Sequence, residues 1–265
     1  MLVSALAKFN HARCWHRLVR VGPDRLRATS LDRLVYLWRW KWLESRDAEV
    51  AFLRSKLRPS GRVVDAGANL GAYSHLFARG VGLAGRVISF EPDPVLFAAL
   101  AANASGNGLA QIQPQRLALG DHSGSGHLQR AHLNSGDNRL SVTTAGGPGG
   151  ETTITTLDEF LGGQAVDFIK MDIQGWELHA LRGMTRTLAA NRDVQLYIEF
   201  WPHGLAQAGS SPEELLAFLE EHGFRFEARP EDPAYGTAEL LRAAGRKALS
   251  TGSRYWFVDL YAWRP

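Results

Sequence analysis

The sequence predicts an α/β fold, in which a mostly parallel sheet carries helices on both faces. Two observations support this prediction. From residue 62 onward, short apolar runs of strand length alternate with runs of helical periodicity. Helix-capping signals also recur between the strands, at Thr156 with Glu159 and at Ser211 with Glu214. Alternating strands and helices are typical of parallel sheets covered on both sides.

The individual elements follow in chain order. The predicted strands are 63–66, 87–90, 112–119, 166–171, 194–200, 224–228 and 255–263. The predicted helices are 31–57, 72–78, 94–104, a short helix starting at Thr156, 177–190, and one that starts at Pro212 and ends before Gly223. No helix is predicted between the last two strands.

Residues 120–155 interrupt the alternation. They are polar and turn-rich, and they include the run Gly146-Gly147-Pro148-Gly149-Gly150. Long loops in compact domains are often lids or binding loops, so we interpret this segment as a lid with a hairpin around Ser123-Gly124. Because residues 143–150 have few apolar side chains, we expect them to be mobile without substrate.

The N-terminal segment is strongly basic. Residues 1–46 contain ten Lys and Arg against three acids, a net charge of +7, whereas the whole chain carries +3. Such an arm can attract nucleic acid or an anionic membrane, but a solvated basic face on packed helices is the preferred interpretation. Aromatic residues at helical spacing, among them Trp38 and Trp42, are expected in the core. We place a helical extension at 1–58 and the main domain at 59–265.

Composition restricts the cellular setting. Cys14 is the one cysteine, so no intrachain disulfide forms, which favours a reducing compartment. No stretch approaches the 18–20 or so apolar residues of a membrane helix, and the first residues do not match a signal peptide. We therefore expect a cytoplasmic protein without a transmembrane segment.

The turn after the first strand carries the strongest chemical signal. Asp65 begins a stretch with Gly67, Asn69 and Gly71, and a helix follows. A dinucleotide fingerprint needs glycines where Asn69 and Ala72 stand, and the Lys-Ser/Thr of a P-loop is absent. An acid beside this turn suits a cation, such as the amino-acid end of S-adenosylmethionine. The second strand ends at Glu91, where a carboxylate can accept hydrogen bonds from ribose hydroxyls.

At this point the sequence resembles the FkbM-like branch of class I S-adenosylmethionine-dependent methyltransferases. The matching stretches are 64–71, 90–93, 117–121, 156–158, 168–178 and 198–199. The resemblance covers roughly residues 60–228, and it implies a Rossmann-like fold with a mostly parallel seven-stranded sheet. One position departs from the family pattern, because the family usually has an acid where Gln174 stands.

The resemblance also implies roles for individual residues. The glycine turn is expected around the amino-acid end of the cofactor, Glu91 at the ribose, Ala118 and Leu119 at the adenine with Asp121 just beyond, and Asp172 between cofactor and acceptor. The expected cofactor-binding residues are Asp65, Gly67, Asn69, Gly71, Glu91, Asp93, Ala118, Leu119 and Asp172.

Three residues near the ends of two neighbouring strands are the catalytic candidates: Lys170, Asp172 and Glu199. A lysine within a central strand is costly unless paired, and Asp172 and Glu199 are the candidate partners. The interpretation as a buried ion-pair network stays open beside a catalytic one. An alcohol is a poor nucleophile, so a base should assist methyl transfer, and His203 is a third candidate. Two acids are too few to predict a metal.

The expected function is therefore O-methylation of a hydroxyl on a sugar or natural-product small molecule, with S-adenosylmethionine as cofactor. A nucleic-acid methyltransferase is the first alternative, although the Asn/Asp-Pro-Pro-aromatic motif of base-nitrogen enzymes is absent at Asp172-Ile173-Gln174-Gly175. The second is a non-catalytic cofactor-binding or scaffold protein of the same fold. The sequence leaves a homo-oligomer open.

Overall fold

The structure, a computed structural model, describes residues 17–21, 24–28, 47–131, 135–141, 149–228 and 237–265. Three parts of the sequence-based predictions lie outside these residues. They are the part of the predicted helix before residue 47, the tryptophans at 38, 40 and 42, and most of the segment 143–150. Within the described residues, no helix combines the length and apolar character needed to cross a membrane.

The elements in chain order are as follows. The strands are β1 (Arg17–Val21), β2 (Asp24–Ala28), β3 (Arg62–Ala66), β4 (Arg86–Phe90), β5 (Ile112–Gln115), β6 (Ala118–Leu119), β7 (Gly124–Gln129), β8 (Arg139–Ser141), β9 (Gly149–Thr155), β10 (Phe168–Met171), β11 (Gln195–Phe200), β12 (Arg225–Ala228) and β13 (Val258–Trp263). The helices are α1 (Asp47–Lys56), α2 (Ala72–Val81), α3 (Pro94–Gly106), α4 (Leu157–Leu161), α5 (Glu177–Arg182), α6 (Thr185–Ala190), α7 (Pro202–Gln207), α8 (Pro212–Glu221) and α9 (Ala238–Ser250).

A seven-stranded sheet forms the centre of the molecule, in the order β12-β13-β11-β10-β3-β4-β5. All neighbours from β11 to β5 are parallel, whereas β13 runs antiparallel to both β11 and β12. The predicted mostly parallel sheet is thus confirmed. The chain moves outward from β3 through β4 to β5 and then returns to place β10 on the other side of β3. Ligands of such sheets bind at this reversal, beyond the carboxyl ends of the strands.

Strand residues alternate between two hydrophobic cores, one on each face of this sheet. Val64 and Ile169 belong to the larger core, whereas Val63 and Phe168 face the smaller one. Lys170 follows the same alternation and shares a face with Phe168. Because Lys170 is in register with Asp65 on β3, the sheet itself places these two charged side chains together.

The described part of the long segment after β5 is folded, and its interpretation as a lid stays a prediction. It forms a four-stranded sheet in the order β6-β9-β7-β8. The predicted strand 112–119 is in fact two strands, β5 in the central sheet and β6 in this small sheet. The predicted hairpin around Ser123-Gly124 is wrong, because β7 begins at Gly124 and pairs with β9 and β8. Gly149 and Gly150, at the end of the segment expected to be mobile, belong to β9.

Three further predictions needed correction. Residues 17–28 lie in the predicted helical extension, but β1 and β2 form an antiparallel pair, consistent with the alternating pattern around the buried Leu26. The predicted helix 177–190 is two helices, α5 and α6, separated at Gly183 and Met184. Helix α9 was missed, although Thr237 caps it and Leu241 and Ala248 are buried along it.

Candidate functional site

The glycine turn after β3 combines unusual backbone conformations with close packing. Gly67, Asn69 and Gly71 all have positive φ angles, of 77°, 52° and 93°. A Cβ atom at Gly67 would overlap the carbonyl oxygen of Asp172, so this position excludes any side chain. Asn69 adopts the left-handed region that asparagine tolerates well, and its side-chain oxygen accepts a hydrogen bond from Leu70 N at 2.8 Å. The turn therefore exposes main chain at the switch point.

Glu91 lies at the end of β4, facing this turn. Its carboxylate accepts hydrogen bonds from Asn69 N at 2.8 Å and from Asp93 N at 2.9 Å, so two main-chain groups fix its position. Burial raises the pKa of Glu91 to about 8, against the opposing effect of these two hydrogen bonds. Asp93 instead caps α3, accepting from Val95 N and Leu96 N, and forms an ion pair with Arg130.

An apolar cleft opens between the ends of β3 and β4. Its lining includes Phe90 and the two residues expected to contact adenine, Ala118 and Leu119. Leu128 and Leu140, which are paired across β7 and β8, cover it from the small sheet. The cleft is small, about 30 Å³, and its lining residues Phe90 and Pro92 flank Glu91 in the chain, so an apolar opening lies close to that carboxylate.

Asp65 and Lys170 form a buried ion pair in the middle of the sheet. Lys170 Nζ lies 3.6 Å from Asp65 Oδ1 and 3.6 Å from Asp172 Oδ2, and it sits over the Tyr73 ring at 4.7 Å. Ser74 Oγ donates to the other Asp65 oxygen at 2.6 Å. Burial raises the pKa of Asp65, and the Lys170 charge partly offsets this rise. Asp65 therefore anchors Lys170 and α2, a pairing that the sequence analysis did not consider.

Asp172 and Glu199 come together at the tips of β10 and β11, as predicted. Gln174 joins them: its side-chain Nε2 donates to Asp172 Oδ1 at 2.8 Å and to Glu199 Oε2 at 3.1 Å. The Asp172 side chain is 23% exposed, whereas Glu199 is buried. Gln174, noted in the sequence only as a departure, is thus the donor that links the two acids.

The turn carrying Gln174 is held by a carboxylate that sequence reasoning missed. Gln174 and Gly175 have φ angles of 57° and 97°, and a Cβ atom at Gly175 would overlap the backbone of Gly204. Glu177 Oε1 accepts from Ile173 N at 3.0 Å and from Gly175 N at 3.2 Å, which closes the turn. Burial raises the pKa of Glu177 to about 7. The signal available in the sequence was an acid opening the helix after the turn.

A second missed group connects α1 to the site. Glu49 is buried, and its Oε1 accepts hydrogen bonds from Tyr73 OH at 3.0 Å and Tyr197 OH at 2.7 Å. The Tyr73 ring in turn lies under the Lys170 ammonium. Nothing in the local sequence pattern indicates this contact, because Glu49 and Tyr197 are joined only by the tertiary fold.

Two histidines near the candidate site have different surroundings. His75 is buried, and its ring nitrogens contact the carbonyl oxygens of Gly71 and Asn103, which makes it a structural tie. His203 lies in α7, immediately after β11. Burial lowers the pKa of His203, and the nearby charges of Arg254 and Arg139 act in the same direction. No group of three or more potential metal ligands occurs among the described residues.

Comparison with known proteins identifies the family. The profile of the methyltransferase FkbM domain matches residues 65–226. The chain belongs to the FkbM methyltransferase family. The match begins at Asp65 and ends in β12, so every site residue from the glycine turn to Glu199 lies inside the FkbM domain.

Two curated proteins of known name are similar to this FkbM-family chain. One is the hexuronic acid methyltransferase AglP of Haloferax volcanii, 25% identical over 70% of this chain and 72% of that protein. The other is the 31-O-demethyl-FK506 methyltransferase FkbM of Streptomyces tacrolimicus, 28% identical over 72% of this chain and 83% of that protein.

Solved structures include similar folds. A methyltransferase FkbM from Methylobacillus flagellatus aligns with 82% of this chain and 51% of its own length, with 17% identity and a TM-score of 0.47. An S-adenosylmethionine-dependent O-methyltransferase from Thermotoga maritima aligns with 94% of this chain and 78% of its own, with 12% identity and a TM-score of 0.44.

Proposed function

We propose that this FkbM-family protein transfers the methyl group of S-adenosylmethionine to a hydroxyl oxygen of a sugar or natural-product small molecule. The observation that carries the proposal is the pair of acids Asp172 and Glu199, held by Gln174 beside the glycine turn. The names of the two curated relatives, one a hexuronic acid methyltransferase and one a 31-O-demethyl-FK506 methyltransferase, support the same class of acceptor.

The chain's own residues fit this cofactor. Gly67, Asn69 and Gly71 form a tight turn with positive φ angles, and we assign this turn to the amino-acid end of the ligand. Glu91 has its carboxylate fixed by two N–H groups and keeps lone pairs for ribose hydroxyls. We place the base at the apolar cleft beside Ala118 and Leu119, which at about 30 Å³ has to widen to admit it. When bound, the cofactor supplies an activated methyl group on a sulfonium.

The remaining chemistry belongs to the acids. Asp172 is the more exposed of the pair, so it is the one that reaches an acceptor. Its carboxylate orients the acceptor hydroxyl and takes its proton as the oxygen becomes a nucleophile. Lys170 at 3.6 Å and the Gln174 amide at 2.8 Å hold the carboxylate in one orientation. If Asp172 only positions the acceptor, Glu199 takes the proton instead.

Two measurements test the proposal. Calorimetry should show S-adenosylmethionine binding, with no comparable heat from NAD. Incubation with cofactor labelled on its methyl group, together with a panel of saccharides, polyols and macrolides, should transfer label in an alkali-stable ether linkage. Label on RNA or DNA instead would favour the nucleic-acid alternative. Cofactor binding without any transfer, over a broad panel, would favour the non-catalytic one.

A further inference from the structure

A second cleft lies between the small sheet and the start of α5, with a volume of about 570 Å³. Its lining comes from β7, β8 and β9 on one side and from Trp176 and His179 on the other. Leu140 lines both this cleft and the apolar cleft beside Glu91, so the two are neighbours. Pockets of roughly 300–1,000 Å³ are the usual size for small-molecule ligands.

Two buried nitrogen atoms border this cleft without a hydrogen-bond partner among the described residues: Trp176 Nε1 and His127 Nε2. The Trp176 side chain is more than nine-tenths buried. Because buried polar atoms in folded proteins almost always have partners, two such atoms beside one cleft indicate a missing ligand.

The Trp176 ring is held firmly in this orientation. It stacks on His179 with ring centroids 4.1 Å apart. His179 is fixed in turn, because Nδ1 contacts Asp121 Oδ2 at 2.8 Å and Nε2 contacts the Ala208 carbonyl oxygen at 3.0 Å. The indole N–H therefore points in a fixed direction before any ligand arrives, which is how a recognition group is preorganised.

The charge of the lining restricts the ligand. Asp121 and Glu151 contribute carboxylates, Ser125 and Ser141 contribute hydroxyls, and the described lining contains no Lys or Arg. Although burial opposes it, hydrogen bonds from His179 and His122 lower the pKa of Asp121, so it stays ionised near neutral pH. An anionic ligand would meet two like charges and no fixed cation, which is unfavourable.

We propose that this cleft binds the methyl acceptor, and that it selects an uncharged polyhydroxylated ring, such as a neutral sugar. The indole N–H of Trp176 and the His127 ring bind oxygen atoms of the acceptor, while carboxylates and serine hydroxyls accept from and donate to its hydroxyl groups. This inference rests on the proposed function and adds to it the place and the charge of the acceptor. The acceptor proposed for this chain is therefore uncharged, unlike a hexuronic acid.

The test observes the indole N–H directly. In ¹⁵N-labelled protein saturated with S-adenosylhomocysteine, the eight tryptophans give separate indole signals, and Trp176→Phe identifies the one from Trp176. Methyl β-D-glucopyranoside at millimolar concentration should shift that signal. The concentration of sodium D-glucuronate that gives the same shift should be at least about tenfold higher. Trp176→Phe keeps the ring and loses one neutral hydrogen bond, so it should weaken glucoside binding by about fivefold or more.

Trp263→Phe is the matched control, because Trp263 stacks on Tyr261 at the far side of the sheet and should leave glucoside binding unchanged. If glucuronate binds as well as the glucoside, the charge selection is wrong. If neither the glucoside nor other neutral saccharides move the Trp176 signal in protein that binds the cofactor product, the cleft is not the acceptor site. Failure of S-adenosylhomocysteine to bind at all would instead overturn the proposed function.

Discussion

The two sides of the candidate site are held in place in different ways. On the proposed cofactor side, formed by the Gly67–Gly71 turn and Glu91, main-chain groups provide the contacts: two backbone N–H groups fix the Glu91 carboxylate. On the proposed acceptor side, formed by Asp172, Gln174 and Glu199, side chains hold side chains through the Gln174 amide and Lys170.

This difference matters because main-chain contacts persist through most substitutions, whereas side-chain contacts change with each one. A site that keeps one cofactor and varies its acceptor is served by such an arrangement. The comparison also predicts that substitutions on the two sides have separable effects: those on the cofactor side change affinity for S-adenosylmethionine, and those on the acceptor side change turnover.

The largest effect is expected for Asp172→Asn. The substitution keeps the shape and removes the basic carboxylate, so turnover should fall by about 100- to 10,000-fold, the usual range for a general base. Cofactor affinity, measured by calorimetry, should change far less. A variant that methylates at nearly the wild-type rate would transfer the role to Glu199. A variant that does not fold would show that the Lys170 ion pair is structural. The turnover of the parallel Glu199→Gln variant would then test the role of the acids.

The next effect concerns stability. Burial raises the folded-state pKa of Glu177 to about 7 from an ordinary value of 4.5. The folded protein therefore keeps a proton that the unfolded chain releases, and stability declines as pH rises from about 4.5 to 7 and then levels off. Glu177→Gln cannot ionise, so its stability relative to wild type should improve across that window, by at most about 3 kcal/mol.

Urea unfolding at a series of pH values measures this difference. Exposed Glu239, at the start of α9, offers a control, because Glu239→Gln should leave the profile unchanged. Parallel profiles for wild type and the Glu177 variant would show that this carboxylate does not titrate in the window, and that the turn after β10 is held without a protonated acid.

On the proposed cofactor side and above pH 8, where Glu91 is ionised, Glu91→Gln should weaken S-adenosylmethionine binding by about tenfold or more, because charge-assisted hydrogen bonds to ribose are lost. The raised pKa of Glu91, about 8, also predicts the direction in which cofactor affinity changes with pH. If ribose hydroxyls need the ionised carboxylate, wild-type affinity should rise with pH by up to about tenfold per unit below pH 8, and the variant should show no such rise. Equal calorimetric affinities would remove Glu91 from the ribose site.

The smallest effect is expected for Gln174→Glu, which restores the acid that is usual in the family. A third carboxylate beside Asp172 and Glu199 removes their shared donor and adds repulsion, so the pKa of the pair should rise. The acid limb of the pH–rate profile should move to higher pH, with a loss of about tenfold in turnover near neutrality. Gln174→Leu removes the donor without adding charge, and the two variants together separate these causes.

Sequence reasoning located the strands and the strand-tip residues because these depend on local patterns. Apolar runs define β3, β4, β10 and β11, and parallel neighbours necessarily bring Asp172 and Glu199 to one edge. The same reasoning found Asp172 as a partner of Lys170 but missed Asp65, since Asp65 meets Lys170 only through strand register. Register between distant strands is set by tertiary packing and leaves no local signal.

The small sheet was missed for a related reason. Its strands are short and polar, with glycines at Gly124 and Gly126, so hydrophobic alternation is weak. Gly126 nevertheless packs closely, since a Cβ atom there would lie 2.6 Å from the end of the Ile154 side chain. The apolar cleft beside Phe90 is thus covered by strands that the sequence suggests to be a lid.

The contact between Gly67 and the carbonyl oxygen of Asp172 has a consequence for how such enzymes can be altered. The two residues are far apart in sequence, yet one lacks room for even a methyl group because of the other. Any enlargement at Gly67 must displace Asp172, the proposed base, along with the glycine turn, so the two positions will show strong epistasis. Libraries that aim at new acceptors should therefore leave Gly67 constant and place their diversity in the small sheet, where binding can change without moving the reacting groups.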